Sequence, residues 1–121
     1  MNSHNEIISL QNPRVKEIVK LRQRRAREQS GKFLIEGYRE LLRAYEGGFS
    51  TESLFICPEL YLGSNETLLI ENMKQKGCQI FTCSKDVFHK ISYRDRPDGL
   101  LAIAPQLKMT LEDVIVRQDS F

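Results

Sequence analysis

Four short apolar segments recur along the chain: KFLIE at 32–36, SLFIC at 53–57, QIFTC at 79–83 and LLAIA at 100–104. Each is separated from the next by a stretch whose apolar residues follow helical spacing instead of alternation. A strand that is apolar at nearly every position must be covered on both faces, and the intervening amphipathic segments are the available cover. The pattern predicts an α/β fold in the order α-α-β-α-β-α-β-α-β. It forms a three-layer α/β/α sandwich around a small mixed sheet of about four strands. At 121 residues the chain is long enough for one domain with its own core. No apolar run approaches the roughly 18 residues that would cross a bilayer.

Local signals set the element ends. Asn12-Pro13 reads as a cap followed by a first helical residue whose missing N–H costs nothing there. Val15, Ile18 and Val19 then share one face. Continued straight, that helix would turn Arg22 and Arg25 toward the apolar side, so a break is expected near Leu21–Gln23. Gly31 closes the second short helix. Leu41, Leu42 and Tyr45 mark the next helix, stopped by Gly47-Gly48. Pro58 ends the second strand, and Ser64 or Asn65 caps a helix that runs to Lys76 and Gly77. Ser84, with Asp86 in the first turn, opens a short helix through Ile91. SYRDRPDG is a loop with a Pro-Asp-Gly turn, and Pro105 ends the last strand.

Residues 1–105 therefore read as one domain. Residues 106–121, QLKMTLEDVIVRQDSF, read as a linker toward an absent C-terminal domain, with Thr110 and Asp113 as a capping box.

Catalytic chemistry finds little support. His4 falls in a terminal stretch, and His89 on a short amphipathic helix. Cys78 and Cys83 flank one strand at a five-residue spacing that points them to opposite faces, a poor geometry for a disulfide or zinc. With Cys57 they are expected to be reduced and metal-free, as in a cytoplasmic protein, and MNSHNEIISL is no secretory signal. The carboxylates Glu36, Glu40, Asp95 and Asp98 have room to converge, but spacing alone does not bring them together. No phosphate-cradling glycine loop, nucleophile elbow or HExxH motif occurs. No catalytic, cofactor-binding or metal-binding residue is assigned.

Charge distribution is more informative than net charge, which is only +2. From Asn12 to Lys32 there are eight basic and two acidic residues, a net +6. The remainder holds ten basic and fourteen acidic residues, a net −4. Such a cationic pole attracts polyanions. Within it, Glu17 and Glu28 are the only acidic neighbours, leaving most arginines without an i, i+4 carboxylate. Arginine, whose planar fork suits phosphate, outnumbers lysine there. Two further features point the same way. EGYR places Gly37 and Arg39 where a strand ends and a helix begins, with free N–H groups at the helix start. The 93–99 loop combines Tyr93 with Arg94 and Arg96, a stacking ring beside two guanidinium groups. The candidate RNA-binding residues are Lys20, Arg22, Arg24, Arg25, Arg27, Lys32, Gly37, Arg39, Arg94 and Arg96. A solvated helix face and a plain glycine turn are the plain structural alternatives.

The stretch SLQNPRVKEIVKLRQRRAREQSGKFLIEGYRELLRAY resembles the start of the SpoU (TrmH) family of RNA 2′-O-ribose methyltransferases. The shared pattern is Ser-x-x-Asn-Pro-x-Val-Lys, a Leu followed by basic residues with Arg27, then Phe-Leu-Ile-Glu-Gly and an amphipathic helix. RPDGLLAIA looks like the strand that closes the same domain. The resemblance spans roughly residues 7–105 and matches 50–92 only in element order. It implies a substrate-binding domain related to kink-turn-binding ribosomal proteins, presenting rRNA or tRNA to a knotted catalytic domain that binds S-adenosylmethionine. The family's Asn-x-Gly-x-x-x-Arg segment, which opens the catalytic domain, is not reached before Phe121, so this chain alone is expected not to be catalytic. The resemblance also implies a monomeric fragment, a homodimeric full-length protein and a cytoplasmic, membrane-free setting. A stand-alone ribosomal-protein-like RNA-binding protein is the alternative. A small α/β enzyme or phosphoacceptor domain would need clustered acidic residues at strand ends, where only Glu36 stands.

Overall fold

The computed structural model describes residues 5–106. Its elements in chain order are β1 (Glu6–Ile7), α1 (Pro13–Lys20), α2 (Arg24–Ser30), β2 (Lys32–Glu36), α3 (Tyr38–Glu46) and β3 (Ser53–Ile56). These are followed by α4 (Glu66–Gln75), β4 (Gln79–Cys83), α5 (Lys85–Ile91) and β5 (Leu100–Pro105). The sheet has five strands in the order β1-β4-β3-β5-β2, not the four expected. The addition is β1, whose Glu6 and Ile7 pair in parallel with Thr82 and Cys83. Two residues carry no periodicity of their own, so only the docking of Ile7 onto β4 reveals the strand.

β3 and β4 are parallel neighbours joined through α4, the crossover that parallel pairing requires. β5 runs antiparallel to both β3 and β2. The carboxyl ends of β1, β2, β3 and β4 and the start of β5 therefore lie at one end of the sheet. The 92–99 segment leads into β5 at that end.

Alternation along the strands builds two cores. Phe55, Phe81, Leu101 and Ile103 face α1 and α5, packing with Val15, Ile18, Val87, Phe88 and Ile91. Leu54, Ile56, Leu100 and Ala102 face α3 and α4, packing with Leu41, Leu69, Ile70 and Met73. Phe55 and Phe81 stack at 5.2 Å between ring centroids. Cys83 lies in the first core and Cys78 in the second, the opposite placement expected from their spacing. Cys57, Cys78 and Cys83 are free and buried, and burial pushes the Cys83 thiol up to about 12.

The helix ends follow the local signals in most places. Asn12 Oδ1 accepts from the Arg14 N–H at 2.9 Å, and Ser84 Oγ accepts from the Val87 N–H at 3.3 Å. The helix breaks between Lys20 and Arg24, and Gly31 closes α2 with φ of +69°. At α4 the expected cap is replaced. Asn65 makes no side-chain capping bond; instead the Glu66 carboxylate accepts from the Gly63 N–H at 2.9 Å. Residues 107–121, all of the expected 106–121 linker but Gln106, with Thr110 and Asp113, lie outside the described residues, as does His4.

Candidate nucleic-acid interface

The turn from β2 into α3 is held against the 92–99 segment by groups far apart in sequence. Glu36, only 3% exposed, accepts through its carboxylate from the Ser92 hydroxyl and, at 3.3 Å, from the Tyr93 N–H. A buried carboxylate persists only with such donors, and these two fix where the loop begins. Arg94 returns the contact, donating through Nη2 to the Glu36 carbonyl at 2.8 Å and approaching Glu40 Oε1 at 3.2 Å. Asp98 Oδ2 accepts from the Tyr38 N–H at 2.9 Å, capping α3 where Gly37 has no side chain to do so. Glu36, Glu40 and Asp98 thus do converge, around a guanidinium and a helix start.

Gly37 has φ of +107°, and a Cβ there would lie 2.5 Å from Arg94 Nη1 and from Glu40 Oε1. Its lack of a side chain serves the close approach of Arg94, and Gly37 itself is buried. The N–H of Gly37 is spent on the Leu100 carbonyl at 2.9 Å. The space expected for a nucleic-acid backbone at Gly37 is therefore filled by a side chain of the same chain.

The arginine run divides by role. Arg22, in the break between α1 and α2, donates through Nη2 to the carbonyls of Lys90 at 2.7 Å and Ser92 at 2.9 Å. It thereby closes the carboxyl end of α5, where a cation also suits the helix dipole. Its Cζ lies 6.0 Å from the Tyr93 ring centroid. Arg27 Nη1 donates back to the carbonyls of Leu21 at 3.0 Å and Arg22 at 2.7 Å, fastening the break. Arg24 pairs with Glu28 at 2.9 Å across one exposed turn. Lys20, Arg25, Arg39 and Arg96 are exposed and enter no ion pair among the described residues.

Most of these arginines have no carboxylate neighbour in sequence; for Arg22 and Arg27 the partners are backbone carbonyls. Lys32 is separated from the rest. It starts β2, roughly 13 Å from Glu36 at the usual rise per strand residue, and pairs with Glu52 at 2.9 Å and Glu17 at 3.4 Å. The hydrogen bond to Glu52 holds the Lys32 ammonium above its ordinary range.

The structure thus joins the break at Arg22 to the loop carrying Tyr93, Arg94 and Arg96. Tyr93, 57% exposed, approaches Arg22 through a contact that has no local signal in the sequence. A cleft of about 550 Å³ opens between them beside β2, and a second of about 460 Å³ lies near Arg39, Arg94 and Asp98. Among the described residues no three His, Cys, Asp or Glu side chains gather to hold a metal ion. None of the described helices is long and apolar enough to cross a membrane.

Residues 12–102 match the family model of the MRM3-like substrate-binding domain. The fold is similar to that of an AdoMet-bound rRNA methyltransferase from Sinorhizobium meliloti, with 26% identity and a TM-score of 0.74. That match covers 89% of this chain and 39% of the other. A solved RNA 2′-O ribose methyltransferase is 34% identical with a TM-score of 0.73, covering 88% of this chain and 39% of its own. The SpoU methyltransferase AviRb from Streptomyces viridochromogenes shares the fold at 20% identity and a TM-score of 0.65, over 84% of this chain and 35% of its own. Among curated proteins none matches. The chain thus spans 39% of the length of the first two enzymes. The match over residues 12–102, most of the chain, makes it a member of the MRM3-like substrate-binding domain family.

Proposed function

We propose that this chain recognises structured rRNA as the substrate-binding domain of a SpoU-type RNA 2′-O-ribose methyltransferase. The observation that carries this reading is the Arg22 bridge. It brings the arginine-rich break and the 93–99 loop together at one end of the sheet, with Arg24, Arg25, Arg39 and Arg96 exposed. Exposed guanidinium groups supply the phosphate contacts that dominate RNA affinity, while the loop supplies a ring for unpaired bases. Arg22, Arg27 and Arg94 set the shape of this surface, and Lys20 extends it. Gly37 belongs to its support.

We propose S-adenosylmethionine as the methyl donor of the parent protein, as in the AdoMet-bound relative. The larger cleft here is walled by Arg22 and Arg27, where like charge disfavours a sulfonium cation. We assign the cofactor no residue of this chain, and propose that the chain is a monomer with no catalysis of its own. tRNA is the second substrate class to compare, and a cytoplasmic setting fits both.

The test is a titration of the chain with an rRNA hairpin and a tRNA at several salt concentrations. Salt-sensitive binding that favours the rRNA hairpin supports the reading. Absence of binding to either RNA at low salt overturns it.

A further inference from the structure

The cleft of about 550 Å³ beside β2 has a composition that neither a docking groove for a helix nor a plain surface dent requires. Its volume falls in the roughly 300–1,000 Å³ range of small-ligand sites. Leu21 and Leu34 give it an apolar floor, Phe33 borders it along the β2 edge with its ring turned to the other face toward Phe49, and Tyr93, Arg22 and Arg27 stand around it.

Each guanidinium is already fixed. Arg22 spends Nη2 on two carbonyls, and Arg27 spends Nη1 on two others. A guanidinium has five N–H donors, so among the described residues each keeps three without a partner. Donors held by their own scaffold bind a phosphate without first losing side-chain freedom. The floor also offers a polar edge. The Gly37 N–H bonds the Leu100 carbonyl and the Gln106 N–H bonds the Gly31 carbonyl. Odd-numbered residues of β2 therefore face β5, and Leu34 turns its N–H and C=O away from the sheet.

We propose that this cleft holds one unpaired nucleotide of the RNA. Its base lies against Tyr93 and the apolar floor, its edge meets the Leu34 backbone, and its phosphate meets the free N–H groups of Arg22 and Arg27. This deepens the RNA-binding reading and rests on it. A base without its pairing partner is the fitting ligand, because a paired base must first give up its pairing and stacking to enter the cleft.

Substituting Arg22 or Arg27 would disturb the helix ends they hold, so Tyr93 is the position to vary; its side chain is exposed and its N–H bond to Glu36 survives truncation. The experiment compares two RNA hairpins closed by the same compact, structured tetraloop, one with a single bulged 2-aminopurine in its stem and one with 2-aminopurine in a fully paired stem, using the 121-residue chain and its Tyr93→Ala and Tyr93→Phe variants. The wild type is expected to bind the bulged hairpin about tenfold more tightly and to quench its fluorescence, as base–aromatic stacking allows. Tyr93→Ala should lose that preference, Tyr93→Phe should keep it, and all three should bind the paired hairpin alike. Equal affinity for both hairpins without quenching, or a preference that survives Tyr93→Ala, overturns the cleft while leaving RNA binding intact. Failure to bind either hairpin overturns both readings.

Discussion

Arg22 donates to the carbonyl of Ser92, 70 residues further along the chain, at 2.9 Å. Through this contact a residue that belongs by composition to a cationic run becomes a cap for α5 and a tether for the 92–99 segment. Arg22→Ala should therefore lower stability by about 1–2 kcal/mol, the usual cost of losing charge-assisted hydrogen bonds at a partly exposed site. Arg25→Ala, on the exposed face of α2, should change it by no more than about 0.5 kcal/mol. Urea denaturation separates the two; equal, negligible shifts would show that the carbonyl contacts contribute nothing to folding.

The exposed arginines should report on phosphate contacts instead. Replacing Arg24, Arg25, Arg39 and Arg96 together with alanine should leave the circular dichroism spectrum unchanged. The slope of log K against log salt should become shallower by roughly 3, taking 0.7–0.9 per phosphate lost. An unchanged slope in the folded variant would place the RNA surface elsewhere.

Gly37→Ala combines a left-handed backbone with a Cβ 2.5 Å from Arg94 Nη1 and Glu40 Oε1. It should destabilise the domain by about 1–3 kcal/mol. Because the displaced group is the Arg94 side chain, the variant should also mobilise the 93–99 loop, visible as faster amide exchange at Tyr93 and Arg94. Wild-type stability at this position would mean that the turn tolerates a side chain.

Glu40 gives the turn a pH dependence. Hydrogen bonding to its own backbone N–H, with help from Arg94, holds its carboxyl below the ordinary value of 4.5. A carboxylate depressed on folding adds stability that is present above the unfolded value and lost as pH falls through the folded one. The Glu40 share should thus be intact at pH 6 and fade below about pH 4.5. Carbon-detected NMR titration of the Glu40 carboxyl is the check, and Arg94→Ala should move its midpoint upward. A midpoint unaffected by Arg94→Ala would remove the ion pair from the account.

Local sequence determined most of the secondary structure. Gly31 at a left-handed C-cap, the break at Leu21–Gln23 and the apolar strands are each set by a few neighbouring residues. The same alternation told Cys78 from Cys83, since strand geometry assigns faces by parity alone. Tertiary structure decided what such local rules do not reach. β1 exists only because β4 offers Thr82 and Cys83 as partners. Arg22 and Arg94 are bound by carbonyls 70 and 58 residues away, and every residue carries a carbonyl, so composition does not mark those acceptors. Charge type and spacing are local properties of a chain; which donor meets which backbone oxygen depends on how the sheet closes, and that closure turned part of a basic run into framework and left the rest facing water.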